Sequence, residues 1–209
     1  MKKTTQYFSR YRLSEKDAYN PTSWWMYVVS RRQAEASAHR SINSEIPKNH
    51  DSLEWKLATS CAEISDHYRF NDPNRSIYDI YANMLANYQT FVPLILFRGA
   101  SAIPYEQMVK SAQELGDPNI DLYEKGFMSC SLLPEYASSF TGYKQFVIFV
   151  RPLSNVMYVG HLADGYSQFS YECIVQKGSQ LKIVAESEQY IYCVLEKHYK
   201  KNDADDCSK

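Results

Sequence analysis

A chain of 209 residues, 44% hydrophobic and 22% charged, is long enough to bury one sizeable core and is of single-domain size. Its 23 Lys and Arg against 24 Asp and Glu leave a formal net charge of -1, so it lacks the basic excess on which nucleic-acid binding draws. No stretch approaches the roughly 20 apolar residues of a membrane span, and the amino-terminal "MKKTTQYFSRYRLSEKD" is basic without the apolar run of about 7–15 residues that a secretory signal needs.

The first third reads helical. After the turn-like "NPTS", a Thr or Ser cap leads into a helix over "WWMYVVSRRQAEASAHRSI". The pair Trp24-Trp25, with Met26, Tyr27 and Val28, either packs onto a later sheet, the reading favoured here, or forms an exposed anchor. A second helix, "HDSLEWKLATSCAEISDHYRF", has Asp51 or Ser52 as its cap and Leu53, Leu57, Cys61 and Ile64 at helical spacing. "SIYDIYANMLANYQTF" is the third, with a stripe of Ile77, Ile80, Tyr81, Met84 and Leu85.

From Val92 the character changes. "VPLILFRGA" is an apolar run bounded by Pro and Gly, as in a buried strand. "PYEQMVKSAQELG" is a helix stopped by Gly116, "EKGFMSCSLL" a turn and a short strand, and "PEYASSF" a brief helix. "QFVIFV", "NVMYVG", "ECIVQ", "QLKIVA" and "YIYCVLEK" then read as successive strands, followed by the polar, disordered tail "KKNDADDCSK". Helices first and strands second is an α+β order. We expect one domain over 1–209, with a helical part over 1–90, a sheet-based core over 91–199 and the tail over 200–209.

The five cysteines, Cys61, Cys130, Cys173, Cys193 and Cys207, are odd in number, scattered and never in a metal-ligand spacing, so they read as reduced thiols and no metal is expected. Eighteen tyrosines hint at a recognition surface.

Three positions carry the chemistry. Arg98 closes the run Leu94-Ile95-Leu96-Phe97 and precedes Gly99, so a permanently charged planar fork appears where a buried strand emerges. In "GFMSCS", Ser129 and Ser131 are two apart on a strand and point to one face. Glu172 heads the strand "ECIVQ" before the Gly178-Ser179 turn, an unfavourable place for a carboxylate unless it is solvated or employed. Taken singly, they read as a surface arginine, a tolerable edge strand and a solvated strand-end glutamate.

As an ordered set they resemble the R-S-E class of mono-ADP-ribosyltransferases, the clostridial Rho-modifying exoenzymes, actin-modifying toxins and related bacterial effectors among them. "LFRGA" resembles the family's arginine strand, "GFMSCS" its S-T-S strand and "YECIVQKGSQLKIV" its catalytic-glutamate strand with the turn and strand that follow, so that the resemblance covers Val92 to Lys197. It implies an α+β fold in which a helical amino-terminal layer precedes a mixed, mainly antiparallel two-sheet core. It also implies NAD as co-substrate, with ADP-ribose passed to a side chain of a host protein by a monomeric enzyme that uses neither nucleic acid nor membrane. Glu172 would stabilise the charge developing on the ribose and orient the sugar, and Arg98 would hold the pyrophosphate or nearby ribose, with Gly99 beside it. Ser129 would keep Glu172 and the ribose in register. Ser131 completes the cofactor set, and Phe140 is either an aromatic wall for nicotinamide or core.

Two positions depart from the family pattern. Cys130 stands at the middle of S-T-S, and Ser170 stands two before the glutamate, where arginine-modifying members carry Glu and asparagine- or cysteine-modifying members often Gln. The loop "GHLADGYSQFSY" would recognise the target through Tyr166, Phe169, Ser170 and Tyr171, and without an acid at position 170 the acceptor would be a Thr or Ser hydroxyl. Some effectors of this broad class modify a threonine of ubiquitin. A protein of this class without a standard signal peptide would enter the host cytoplasm through a specialised secretion system. An NAD glycohydrolase would use the same three residues. A binding module without turnover, or an unrelated α+β protein, stays open from the residues themselves.

Overall fold

The computed structural model describes residues 15–25, 28–42, 49–138, 143–160 and 171–198. A 3-10 turn at Glu15–Asp17 leads into the short helix α1 (Pro21–Trp24) and then α2 (Arg31–Ser41). The long helix expected from Trp24 is therefore two. Val28 and Val29, β-branched and in no helix, precede α2, and Ser30 (ψ 155) starts α2 in the extended conformation of an N-cap. Helix α3 (Leu53–Arg69) is capped by Ser52, whose hydroxyl accepts from the Trp55 amide at 3.1 Å, and is kinked at Ser60 (φ -125). The third predicted helix is shorter than its apolar stripe. A 3-10 turn at Arg75–Tyr78 opens it, α4 (Asp79–Leu85) completes it, and Gln89 and Thr90 instead bridge to Asn155 and Ile42.

The strands are β1 (Leu94–Ala100), β2 (Leu122–Glu124), β3 (Met128–Ser131), β4 (Lys144–Val150), β5 (Val156–Tyr158), β6 (Glu172–Val175), β7 (Ser179–Glu186) and β8 (Tyr190–Lys197). Helix α5 (Ala102–Leu115) follows β1 and ends on Gly116, left-handed at φ 72, and α6 (Pro134–Ser138) follows β3. β2 went unread in the sequence because three residues, one of them a glutamate, carry too little alternation to register.

The expectation of two sheets is corrected. The described strands form one mixed sheet of eight, in the order β2-β7-β8-β4-β1-β3-β6-β5, parallel only between β4 and β8. The two halves are joined because β1 pairs on both edges. Seven register pairs tie it to β4, and a single pair, Phe97↔Ser131, ties it to β3. Beyond Phe97, β1 and β3 part.

Side-chain alternation distributes three cores over the sheet. Ile95, Phe97, Val147, Phe149 and Val194 face α1, where fully buried Trp24 lies 5.6 Å from the Phe149 ring. Trp25, partly exposed, sits 5.2 Å from Tyr190 and donates its indole N–H to the Tyr192 hydroxyl. The tryptophan pair thus packs onto the sheet. Leu94, Leu96, Phe146, Ile148 and Val150 face the other way, against Ala34 and Ala38 of α2 and Met108 of α5. Phe127, Met157 and Ile174 pack against Leu57, Cys61 and Ile64 of α3 and Leu85 of α4. α3 comes this close because of one glycine. A Cβ on Gly126 would lie 2.6 Å from the Ser65 Cβ and 2.9 Å from the Ser65 backbone, so any other residue would push the helix off the strand.

Candidate active site

The cleft opens where β1 and β3 part, roofed by α3 and α6, with a volume of about 310 Å³, the lower end of the range for ligand pockets. The structure brings Arg98, Gly99, Ser129, Ser131 and Glu172 to its walls together. Phe140, Tyr166, Phe169 and Ser170 lie outside the described residues.

β3 and β6 set the carboxylate. Antiparallel pairing places Ser131 opposite Glu172 and Ser129 opposite Ile174, and Ser129 donates its hydroxyl hydrogen to Glu172 Oε1. Burial pushes the Glu172 carboxyl above its ordinary range, and the Ser129 hydrogen bond draws it partly back. Ser131 is turned to the backbone, its hydroxyl accepting from the Leu133 amide at 3.0 Å as the chain turns into α6. Tyr171, just before the glutamate, adopts φ 48, a conformation sparsely populated by residues other than glycine, and its carbonyl accepts from the Leu132 amide. Strain adjacent to Glu172 fixes how β6 enters the sheet.

Cys130 is buried on the opposite side of β3 from Ser129, across the ladder from Cys173, and burial pushes its thiol up to about 12. Cys61, on the α3 wall, is pushed up to about 12 by the same cause. Cys61, Cys130, Cys173 and Cys193 are buried free thiols.

The arginine is held by a group that the sequence did not disclose. Glu124, 2% exposed, accepts from Arg98 Nη2 at 3.1 Å, from Arg69 Nε and Nη2 at 3.0 Å each, and from the Gly126 amide at 3.0 Å. Burial opposes its ionisation, but the Arg98 and Arg69 guanidiniums and these hydrogen bonds prevail and hold it below the usual carboxylate range. Arg69, from the last turn of α3, also donates to Asp66 at 3.0 Å and lines the cleft beside Arg98. Arg98 Nη1 reaches the Ser129 carbonyl at 3.4 Å, in the gap left where β1 leaves β3. Arg98 Nε is buried with no hydrogen-bond partner among the described residues.

Tyr136 of α6 lines the same cleft. Its ring lies 6.1 Å from Tyr171 and beneath the Arg31 guanidinium at 5.9 Å, which makes it an aromatic wall of the cleft. One signal for Arg69 was available. The series Leu57, Cys61, Ser65, Arg69, four apart on α3, passes from apolar to charged along one helix face. Among the described residues, no group of His, Cys, Asp and Glu is placed to hold a metal ion, and no helix is long and apolar enough to cross a membrane.

No protein-family model matches the sequence, and no curated protein matches it either. Solved structures do. Plx2a, an ADP-ribosyltransferase toxin from Paenibacillus larvae, superposes with a TM-score of 0.58 at 13% identity, over 82% of this chain and 98% of its own. The C3 exoenzyme of Clostridium limosum gives 0.55 at 19% identity, over 81% and 96%. Exoenzyme S of Pseudomonas aeruginosa, solved with human 14-3-3 protein beta and carba-NAD, gives 0.52 at 13% identity, over 75% and 80%. The chain has the fold of bacterial ADP-ribosyltransferase toxins. At these identities the likeness is one of fold, and the chemistry of this ADP-ribosyltransferase-like chain is argued from its own cleft.

Proposed function

We propose that the chain is a mono-ADP-ribosyltransferase, which breaks the nicotinamide–ribose bond of NAD and joins the ribose carbon to a side-chain oxygen of a host protein. The observation that carries this reading is one cleft with a hydroxyl-bound carboxylate, Ser129–Glu172, at one end and two guanidiniums fixed by a buried glutamate at the other.

Each end suits a different part of the dinucleotide. Arg98 and Arg69 match the pyrophosphate, with the unpartnered Arg98 Nε as a charge-assisted donor. Tyr136, which lines the cleft, offers aromatic surface to the nicotinamide end. As the glycosidic bond lengthens, positive charge spreads over the ribose, as in glycoside cleavage, and ionised Glu172 stabilises it. Nicotinamide departs neutral, so no general acid is needed. The acceptor hydroxyl loses its proton as its oxygen bonds to the ribose carbon, and the products are nicotinamide, the O-linked ADP-ribosyl protein and one proton. With Ser170 in place of an acid, nothing two residues before Glu172 binds a guanidinium, which favours a Thr or Ser acceptor, with the threonines of ubiquitin a first set to try.

The test is incubation of the protein with NAD and host-cell lysate, following nicotinamide release and protein mass together. One added ADP-ribosyl group on a protein, lost in Glu172→Gln, supports the reading. Nicotinamide release without protein labelling would instead mark an NAD glycohydrolase, and no NAD consumption across lysates would refute the enzymatic reading.

A further inference from the structure

A second cavity, of about 370 Å³, shares no residue with the cleft. It lies beyond the carboxyl end of α3, against the β6–β7 turn at Gly178 (φ 71). Arg75, Lys125 and Lys177 line it with His198, and among the described residues no carboxylate does. The acids that hold the lysines stand outside the lining and are part-exposed. Lys177 Nζ is 2.6 Å from Asp79 and 4.1 Å from the centre of the Tyr68 ring, and Lys125 Nζ is 3.2 Å from Glu114. Three permanent cations therefore line one concavity at neutral pH, with the carboxylates that neutralise the two lysines set outside its lining. The α3 carboxyl terminus adds partial negative charge there, so the cations are in part complementary to the helix.

Gln180 supplies the second, independent observation. Its side-chain Oε1 is buried with no hydrogen-bond partner among the described residues, and the residue lines this cavity. A buried unmet acceptor is destabilising unless a donor reaches it. A bare inorganic anion answers the cations and leaves the amide unmet, whereas a ligand with both a phosphate and hydroxyl groups answers both.

We infer that this cavity is a binding site for a small hydroxyl-bearing phosphate ester, held through its phosphate by Arg75, Lys125 and Lys177 and through a hydroxyl by Gln180. The site adjoins the cleft through two consecutive pairs. Tyr68 and Tyr123 line the cavity, while the next residues, Arg69 and Glu124, form the guanidinium clamp. Occupancy is thus positioned to bear on the clamp, although binding at the cavity stands independently of the proposed reaction.

The experiment is a titration of the isotope-labelled full chain with ribose 5-phosphate and, separately, with inorganic phosphate at matched ionic strength, following backbone amide shifts. The expected result is saturable shifts at Lys177, Gly178 and Gln180, with ribose 5-phosphate the tighter of the two ligands. Arg75→Glu, at an exposed position, weakens both by about tenfold, the loss of a charge-assisted contact. Gln180→Met reduces ribose 5-phosphate to the level of inorganic phosphate. Equal binding of the two probes by the unaltered protein overturns the hydroxyl-bearing class. Shifts confined to Arg98, Ser129 and Glu172, no saturable shifts, or an Arg75→Glu variant that binds as the unaltered protein does, each overturn the site.

Discussion

Replacing Glu124 by glutamine tests whether the guanidinium clamp is held together by a buried charge. The substitution conserves volume, so no cavity contributes to the outcome. Glu124 accepts four hydrogen bonds, two at Oε1 from Arg69 Nε and the Gly126 amide, and two at Oε2 from Arg69 Nη2 and Arg98 Nη2. A glutamine whose oxygen keeps the first pair turns its NH2 toward the second, donor against donor. Its opposite rotamer loses the first pair instead. Either way two bonds are lost and two guanidiniums, with side chains 21% and 11% exposed, lose their counter-charge. Removing one partner of a buried ion pair costs about 3–5 kcal/mol, and the residual solvent access of Arg69 sets the expectation near the lower figure, about 3 kcal/mol. In a domain of this size each kcal/mol lowers Tm by about 2–4 °C, so Tm should fall by about 6–12 °C.

The pH dependence has a fixed sign. Because the folded-state pKa of Glu124 is depressed, its contribution is present above the unfolded carboxylate pKa and is lost as pH falls through the folded value. The gap between the two proteins should therefore be full at neutral pH and close in acid. Urea unfolding at several pH values measures it, with NAD titration alongside, since a loosened clamp should bind the dinucleotide more weakly. A Glu124→Gln protein within about 1 kcal/mol of the original, with unchanged NAD affinity, would refute the claim that Glu124 holds the arginines.

The Ser129–Glu172 pair gives two further expectations. Glu172→Gln should lower turnover by at least about 100-fold with little change in NAD affinity; because the Glu172 pKa is raised, its ionisation costs stability above that pKa, so the variant should also melt higher at neutral pH, with the difference vanishing in acid. Ser129→Ala removes the bond that draws the Glu172 pKa down, so the acid limb of the pH–rate profile should move to higher pH; a limb that stays in place would detach Ser129 from Glu172. Thiol alkylation near pH 8 should leave activity intact, because Cys61 and Cys130 stay protonated and buried, and inactivation tracking label at either would contradict this. Free arginine and agmatine should be poor acceptors, and the protein linkage should survive hydroxylamine; fragmentation mass spectrometry that places ADP-ribose on arginine would refute the hydroxyl acceptor while sparing the transferase.

What could be read from the chain depended on how each residue announces itself. Arg98, Ser129 and Glu172 sit on strands whose apolar runs or alternation are visible locally, and a polar residue in such a run stands out. Glu124 does not. It lies in a three-residue strand within "YEKGF", flanked by a charge and a glycine, where a glutamate looks solvated. Its burial results from β2 pairing with β7, where Glu124 stands opposite Ser179, 55 residues further along the chain, a contact no window of sequence contains. The helix boundaries failed for a related reason. The helix expected over this segment ran past Leu85 to Phe91, but Gln89 and Thr90 are drawn off by bridges to Asn155 and Ile42, tertiary pairings that override local propensity.

The four charges of the cleft and its clamp sum to zero yet are sorted in space. Arg69 and Arg98 meet on Glu124, behind the wall, while Glu172 stands apart with only a hydroxyl for company. Had Glu172 paired with either arginine, its pKa would be lowered and its field spent on a neighbour. Glu124 prevents that by engaging both guanidiniums, while Arg98 Nε is left without a hydrogen-bond partner among the described residues. The consequence is a bipolar cleft in which one part attracts an anion and another carries an underused negative charge, raised in pKa by burial and only partly drawn back by Ser129. A substrate with a pyrophosphate at one end and a bond that cleaves toward a cation at the other matches this sorting in the transition state more than in the ground state, which is the condition for rate acceleration rather than mere binding.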